Sequence, residues 1–177
     1  GWDVFQKDMV EKTSIIDKTP NNITMLIFVF KIVWRILKSV WMKIACYENW
    51  FIVLKNQQNN LQFLPNPKGH YYADPFLFEY HYKTYLFLED YVHATKKGHL
   101  VCLEVIDNDG KYIFSDPKVV IDKPYHLSYP FVFQWKNDIY MIPESCQNKT
   151  IELYKAVDFP FRWEFQKNLF ENVQARD

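Results

Sequence analysis

Two segments of this 177-residue chain repeat one pattern and differ where chemistry would sit. HYYADPFLFEYHYKTYLFLEDY runs from His70 to Tyr91, and HLSYPFVFQWKNDIYMIPESC from His126 to Cys146. Ala73-Asp74-Pro75-Phe76 aligns with Ser128-Tyr129-Pro130-Phe131. Phe78, Tyr85 and Glu89 align with Phe133, Tyr140 and Glu144, all at an offset of 55 without a gap. Asp74 has two readings: a carboxylate aimed at a ligand, or a turn-former that accepts backbone N–H groups. Tyr129 either contacts a ligand or plugs a channel. His126 and His70 flank the same turns, as ligand contacts or as structural hydrogen-bonders. The candidate substrate-binding set is Tyr72, His126 and Tyr129. Glu89 and Glu144 end equivalent strands, and their repetition argues for a structural role, such as bonding the backbone of a neighbouring sheet.

The elements that must position these residues are short strands. FLFEYHYKTYLFLE reads as strand, tight turn, strand, and NWFIVLK is a short strand-like run. HLVCLEVI, Asp107-Asn108-Asp109-Gly110 and KYIF read as a hairpin with Asp-Gly as its turn signal. QNNLQFLPNPKG reads as a loop. GHLVCLEV corresponds to KTIELYKA with a connection four residues shorter, so each unit supplies about four strands over roughly 50 residues, the period of β-propeller blades. In such a blade the innermost strand starts at the x-D-P or x-Y-P turn, because proline is tolerated at a strand's first residue. Asp74 and Tyr129 then point into a shared funnel. Phe76, Phe131, Phe133 and Tyr140 are expected between blades. A third copy of the Asp74/Tyr129 position falls at Asp177, 48 residues after Tyr129. The fold class expected is mainly β: two blades of a propeller (48–177), truncated as the third opens, behind an amphipathic α-helix.

That helix is expected over residues 23–47, with Asn22 as its cap. Lys31, Arg35, Lys38 and Lys43 give it a basic stripe, and these charges argue against a spanning segment. It either docks through Leu26, Phe30, Val33, Leu37 and Trp41, or lies on an anionic membrane surface with Trp34 and Trp41 as anchors. Residues 1–22 read as a linker or the end of a preceding domain, and GWDVF reads as the start of a piece cut from a longer protein.

Lysine plus arginine balance aspartate plus glutamate at 21 each, which speaks against nucleic acid as a partner. Aromatics reach 19%, a surplus available for stacking on flat ligand faces or for β-propensity alone. Cys46, Cys102 and Cys146 form no zinc-like cluster, so no metal or other cofactor is expected. Their odd number favours a reducing compartment, hence a cytoplasmic protein, peripheral to a membrane if the helix binds one. Asn22-Ile-Thr24 and Asn148-Lys-Thr150 match the glycosylation triplet by sequence alone.

YADPFLFEY, YLFLEDY, HLSYPFVF, IYMIPES and IELYKAVDFPFRW together resemble the N-terminal domain of glucosamine inositolphosphorylceramide transferases, over about residues 48–177. The resemblance implies a five-bladed propeller similar to that of family-43 glycoside hydrolases. It also implies roles: Asp74 matches the general base of those hydrolases and Asp177 their third-blade aspartate, while their general acid has no counterpart here. Three functions follow as expectations. The first is a carbohydrate-recognising accessory domain of a glycan- or glycolipid-synthesising protein, partnered by a glycan or glycolipid, the remaining blades and neighbouring domains. The alternatives are a glycoside hydrolase or transglycosidase using Asp74 and Asp177, and a protein-interaction scaffold without a sugar site.

Overall fold

The computed structural model describes residues 21–45, 49–56 and 58–175. The chain divides into two compact units, Gly1–Glu48 and Asn49–Asp177. In the first, helix α1 spans Asn22–Ala45. Its cap is Asn21 rather than the expected Asn22. Asn21 Oδ1 accepts the Thr24 backbone N–H at 2.8 Å and the Thr24 hydroxyl at 2.7 Å. A cap must reach the N–H two or three residues on, and Thr24 offers Asn21 two donors at that distance along the chain. No described helix is long and apolar enough to cross a membrane. Residues 46 and 47 of the expected helix, and most of the expected linker, lie outside the described residues.

The second unit is built of strands. β1 (Ile52–Lys55) and β2 (Leu61–Leu64) form a two-stranded antiparallel ribbon with Ile52 opposite Leu64. The sequence reading places a loop where β2 lies. Two side-chain devices explain the strand. Asn56 Oδ1 accepts the N–H groups of Gln58 and Asn60 at 3.0 and 2.8 Å, which closes the turn. Gln62 Oε1 then accepts the Tyr112 N–H at 2.8 Å, tying the ribbon to the next sheet.

That sheet contains β3 (His70–Tyr80), β4 (Lys83–Val92), β5 (Lys97–Asn108), β6 (Lys111–Phe114) and β7 (Lys118–Ile121). Its order is β3-β4-β5-β6, with β7 also on β5. β6 and β7 share one edge of β5, pairing with Val105–Asn108 and with Leu100–Cys102, so the sheet is four strands wide. The other sheet runs β8 (Ser128–Trp135), β9 (Asp138–Ser145), β10 (Thr150–Asp158), β11 (Arg162–Glu171), in that order. Its ladder repeats the first. Ala73 pairs with Glu89, which pairs with Leu100; Ser128 pairs with Glu144, which pairs with Ile151. The sequence repeat is thus a repeat of strand register.

The sheets pack against each other through β3, β4 and β5 on one side and β8 on the other. Tyr85, Phe87, Leu100, Cys102 and Ile121 meet Leu127, Val132, Ile139, Met141 and Tyr154 in one buried cluster. A second cluster, with Leu86, Leu88, Val101 and Leu103, faces the β1–β2 ribbon through Ile52 and Leu64. Sealing Phe87 alone, fully buried, contributes about 1.5–3 kcal/mol of transfer free energy. Period-2 alternation explains both clusters: Tyr85 and Phe87 look one way, Leu86 and Leu88 the other. Of the aromatics expected between blades, Phe76 packs on the first cluster and meets Phe131 edge to face at 5.6 Å, while Phe131 itself stays 45% exposed. Val132, its neighbour on the opposite face, is buried within the first cluster.

Pro75 and Pro130 lie inside β3 and β8, not at their first residues. Each sits in a register break, between Ala73 and Phe76 in one strand and between Ser128 and Phe131 in the other. A bulge relieves the proline of its missing ladder bond. Asp74 and Tyr129 take the left-handed conformation there, each with φ of 49°. Aspartate tolerates that region, whereas tyrosine occupies it at a steric cost.

Candidate functional site

A cleft of about 980 Å³ opens at the bulged start of β3. Asp74, Glu89 and Glu144 supply its carboxyls, His126 an imidazole, Ser128, Gln147 and Gln174 its neutral polar groups, and Trp50, Phe51 and Tyr71 its aromatic rings. The bulge delivers Asp74. The ladder delivers Glu89, because β4 returns antiparallel and sets Glu89 opposite Ala73. β9 delivers Glu144 in the same way. His126 comes from the segment between β7 and β8, and its backbone N–H donates to Gln147 Oε1.

Glu89 is the least ordinary group in the cleft. It is 5% exposed, and its Oε1 has no hydrogen-bond partner. Burial pushes its carboxyl up to about 8, helped by the charge of Asp74, by a hydrogen bond with Asp74, and by Glu144 and Asp90. Two carboxyls meet in a hydrogen bond only if one of them carries a proton. Glu89 is therefore the protonated partner of Asp74 near neutral pH. Gly98 makes room for it: a Cβ there would stand 2.2 Å from Glu89 Oε1 and 2.7 Å from the Leu127 carbonyl oxygen. The Gly98 N–H also donates to His126 Nδ1 at 2.9 Å, which fixes the imidazole's accepting nitrogen. Its Nε2 then carries the proton and lies 3.5 Å from Glu89 Oε1, too far for a good bond. Burial holds His126 below its usual value, against the pull of Asp74, so the ring is neutral.

A second buried glutamate shows what a satisfied one looks like. Glu152 is 2% exposed and accepts from Tyr125 OH at 2.8 Å, Thr150 Oγ1 at 2.8 Å, Asn148 Nδ2 at 3.0 Å and Tyr154 OH at 2.5 Å. Burial pushes its carboxyl up, but these bonds outweigh that and leave it below its usual value. Glu152 holds the second sheet together; Glu89 has no such set of donors.

The site residues expected from sequence divide accordingly. Asp74 and His126 both line the cleft. Tyr72 does not: it is 2% exposed and packs in the cluster beneath the β1–β2 ribbon, where burial and Asp90 push its phenol up to about 12. Tyr129 lines a separate, shallower depression with Phe131, Ile142 and Ala175, which shares Glu144 with the cleft. Asp177 lies outside the described residues. Glu89 and Glu144, read from sequence as structural, line the same cleft as Asp74. The sequence did hold a signal for this. A turn at His81-Tyr82 makes the strands fold back, so residue 73 must face residue 89 or 90. Among the described residues no group of three or more His, Cys, Asp or Glu side chains could hold a metal ion.

Comparison with known proteins places the chain. It is 35% identical over 103 residues to glucosamine inositolphosphorylceramide transferase 1 of Oryza sativa subsp. indica, an overlap of 58% of this chain and 14% of that protein. It is 36% identical over 100 residues to the protein of the same name in Arabidopsis thaliana, an overlap of 56% and 13%. The chain thus spans a small part of the length of these relatives. No solved structure matches it. A family model described as glucosamine inositolphosphorylceramide transferase 1, N-terminal, matches residues 61–174, and the chain belongs to that family.

Proposed function

We infer that this chain is a carbohydrate-recognising, propeller-type accessory domain of a glycolipid-synthesising protein. One observation carries the reading: carboxyl groups and exposed aromatics converge in a single cleft, in a member of this family. Sugars present hydroxyls to carboxylates and flat C–H faces to rings, so a site for them needs both. Trp50 and Phe51, each 62% exposed, supply the rings, and Asp74, Glu89 and Glu144 the carboxyls. The relatives' name points to a glycolipid as the parent protein's substrate.

The propeller-type architecture is supported by the repeated four-strand register. It is supported also by a face left open. In the first repeat, Phe76, Phe78 and Tyr85 are covered by the second sheet. Their equivalents Phe131, Phe133 and Tyr140 stack on one another, with Phe131 exposed, as they would beneath a further sheet of the same kind. Helix α1, with Lys31, Arg35 and Lys38 and no acidic residue, is the candidate contact with an anionic membrane surface.

Glycoside hydrolysis by Asp74 with Glu89 is the weaker reading. Hydrolases hold their two carboxyls about 5–9.5 Å apart, to leave room for the sugar carbon or a water. Hydrogen-bonded carboxyls leave none. Glycan-array binding by the chain and by Asp74→Asn tests the proposal. The variant should bind glycans more weakly at an unchanged melting temperature. Equal binding removes Asp74 from the site, and array-wide silence favours a protein-interaction scaffold.

A further inference from the structure

We propose that the free edge of β1 is a strand-docking site: it takes an extended segment from elsewhere in its own, longer polypeptide, which widens the β1–β2 ribbon into a full sheet. The inference concerns what builds the wall of the cleft, and it stands apart from the carbohydrate reading.

The ladder shows which groups are free. The Asn56 N–H donates to the Asn60 carbonyl at 3.0 Å, so that opposed pair is a hydrogen-bonded one. Such pairs alternate along an antiparallel ladder. Ile52 and Leu54, opposite Leu64 and Gln62, therefore bond to β2, while Phe51, Val53 and Lys55 direct their N–H groups the other way. Among the described residues no strand pairs with that edge. The Lys55 carbonyl meets the Tyr112 hydroxyl at 3.4 Å, which covers one end of it. The cleft fixes the orientation of the rest. Trp50, Phe51, Ile52 and Val53, four consecutive residues, all line it. A strand's face would contribute alternate residues, so it is the backbone edge of β1 that looks into the cleft.

The two edges of the ribbon differ in kind. Pro65 and Pro67 follow β2 and blunt its outer edge, as prolines do in edge strands. β1 holds no proline, and its one charge is Lys55 at the end. Phe51 and Val53 are 62% and 37% exposed, beside Leu61 and Phe63 at 63% and 60%. A bare apolar edge of this kind is a template for another strand. Position names the occupant. The first sheet is packed on one face by the second sheet and on the other by the ribbon. The ribbon thus stands where a neighbouring sheet would, two strands wide against four. β1 touches β3, the strand at the cleft, and β2 touches β6 on the outer side, so the missing strands belong beside β1. The relatives extend far past the part matched here, which is 14% of one of them, and that makes the same polypeptide the source.

Amide exchange, read residue by residue by NMR, tests this in the 177-residue chain and in the chain extended through the rest of its reading frame. In the 177-residue chain the Ile52 and Leu54 amides should exchange about a hundredfold more slowly than those of Val53 and Lys55. In the extended chain Val53 and Lys55 should slow to match them. Val53→Pro removes an edge donor and leaves the β2 ladder intact. It should leave the melting temperature of the 177-residue chain within about 2 °C and lower that of the extended protein by about 4 °C. Val53 and Lys55 amides that stay fast in the extended protein overturn the proposal, and so does a reading frame with no further strands. If those amides are slow already in the 177-residue chain, and only at concentrations where sedimentation shows a dimer, the occupant is a second copy and the assignment falls. Sugar binding is no readout here, so each result stands whether or not the cleft takes a carbohydrate. The exchange pattern decides the matter without relying on the proline variant to fold.

Discussion

Replacing Glu89 with glutamine should make the protein more stable in alkali and leave it nearly unchanged in mild acid. The carboxyl titrates at an ordinary 4.5 in the unfolded chain and at about 8 in the folded one. Below 4.5 both states hold the proton and Glu89 contributes no pH dependence. Between 4.5 and 8 the unfolded chain releases the proton and the folded one keeps it. The unfolded state then binds fewer protons, so stability falls as pH rises, by about 1.4 kcal/mol per pH unit. Over roughly 3.5 units the loss approaches ~5 kcal/mol, fully present above pH 8. Local opening that hydrates the carboxylate makes this an upper bound. A domain of this size has only about 5–15 kcal/mol of net stability, so the effect is a large share of it. The glutamine amide fills the same space, donates to Asp74 and cannot ionise. Urea unfolding of both proteins at pH 5, 6.5, 8 and 9 is the measurement. The curves should lie within about 1 kcal/mol of each other at pH 5, diverge up to about pH 8 and run parallel above it, with the variant on top. A constant gap across that range would mean that Glu89 is already ionised at neutral pH, and the shared proton would be refuted.

Other changes test neighbouring parts of the same account. Gly98→Ala places a methyl against Glu89 Oε1 and the Leu127 carbonyl oxygen, and should lower stability by about 1–3 kcal/mol in thermal melts, since the backbone atom cannot swing aside. Glu152→Gln should cost about 1.5–3 kcal/mol at pH 7 in urea unfolding, because a carboxylate with four donors becomes an amide. Its carboxyl lies below the usual value when folded, so its contribution is complete above about pH 4.5 and is lost on acidification, the reverse of Glu89. Asn21→Ala removes the cap of α1 and should cost about 1 kcal/mol of helix stability, read as weaker ellipticity at 222 nm on warming.

Much of this architecture was legible because it rests on local rules. Alternating apolar residues with turn residues at fixed places mark β3 through β6, and Asp109 and Gly110 take the positive φ that their hairpin requires. The 55-residue offset announced a repeated set of strands, and the structure shows that it is a repeat of register as well. What failed depended on contacts that alternation does not encode. Tyr72 and Asp74 are two apart, and in a regular strand they would share a face. The bulge at Asp74 breaks that count, which is why Tyr72 faces the core and Asp74 the cleft. β2 was hidden because the residues that hold it, Asn56 and Gln62, look like loop residues and act through their side chains.

The two repeats then explain why one frame carries different residues. Each has a bulge, a left-handed residue and a glutamate facing the residue before it. In the first, the segment leading into β8 closes over the glutamate: Leu127 and His126 crowd Glu89, and only glycine fits at position 98. In the second, the corresponding glutamate, Glu144, is half-buried, and the residue aligned with Gly98 is Lys149. The carboxyls are the same group in the same place on the ladder. Burial, first among the causes at Glu89, is what lets that carboxyl keep its proton. It follows that substituting the covering segment should move the titration of Glu89 as surely as substituting Asp74. His126→Ala, which opens the wall beside Oε1 to water, should bring Glu89 back toward the ordinary range in the carboxyl titration. If Glu89 still titrated near 8 in that variant, the raised value would belong to the Asp74 contact alone, and the covering segment would have no part in it.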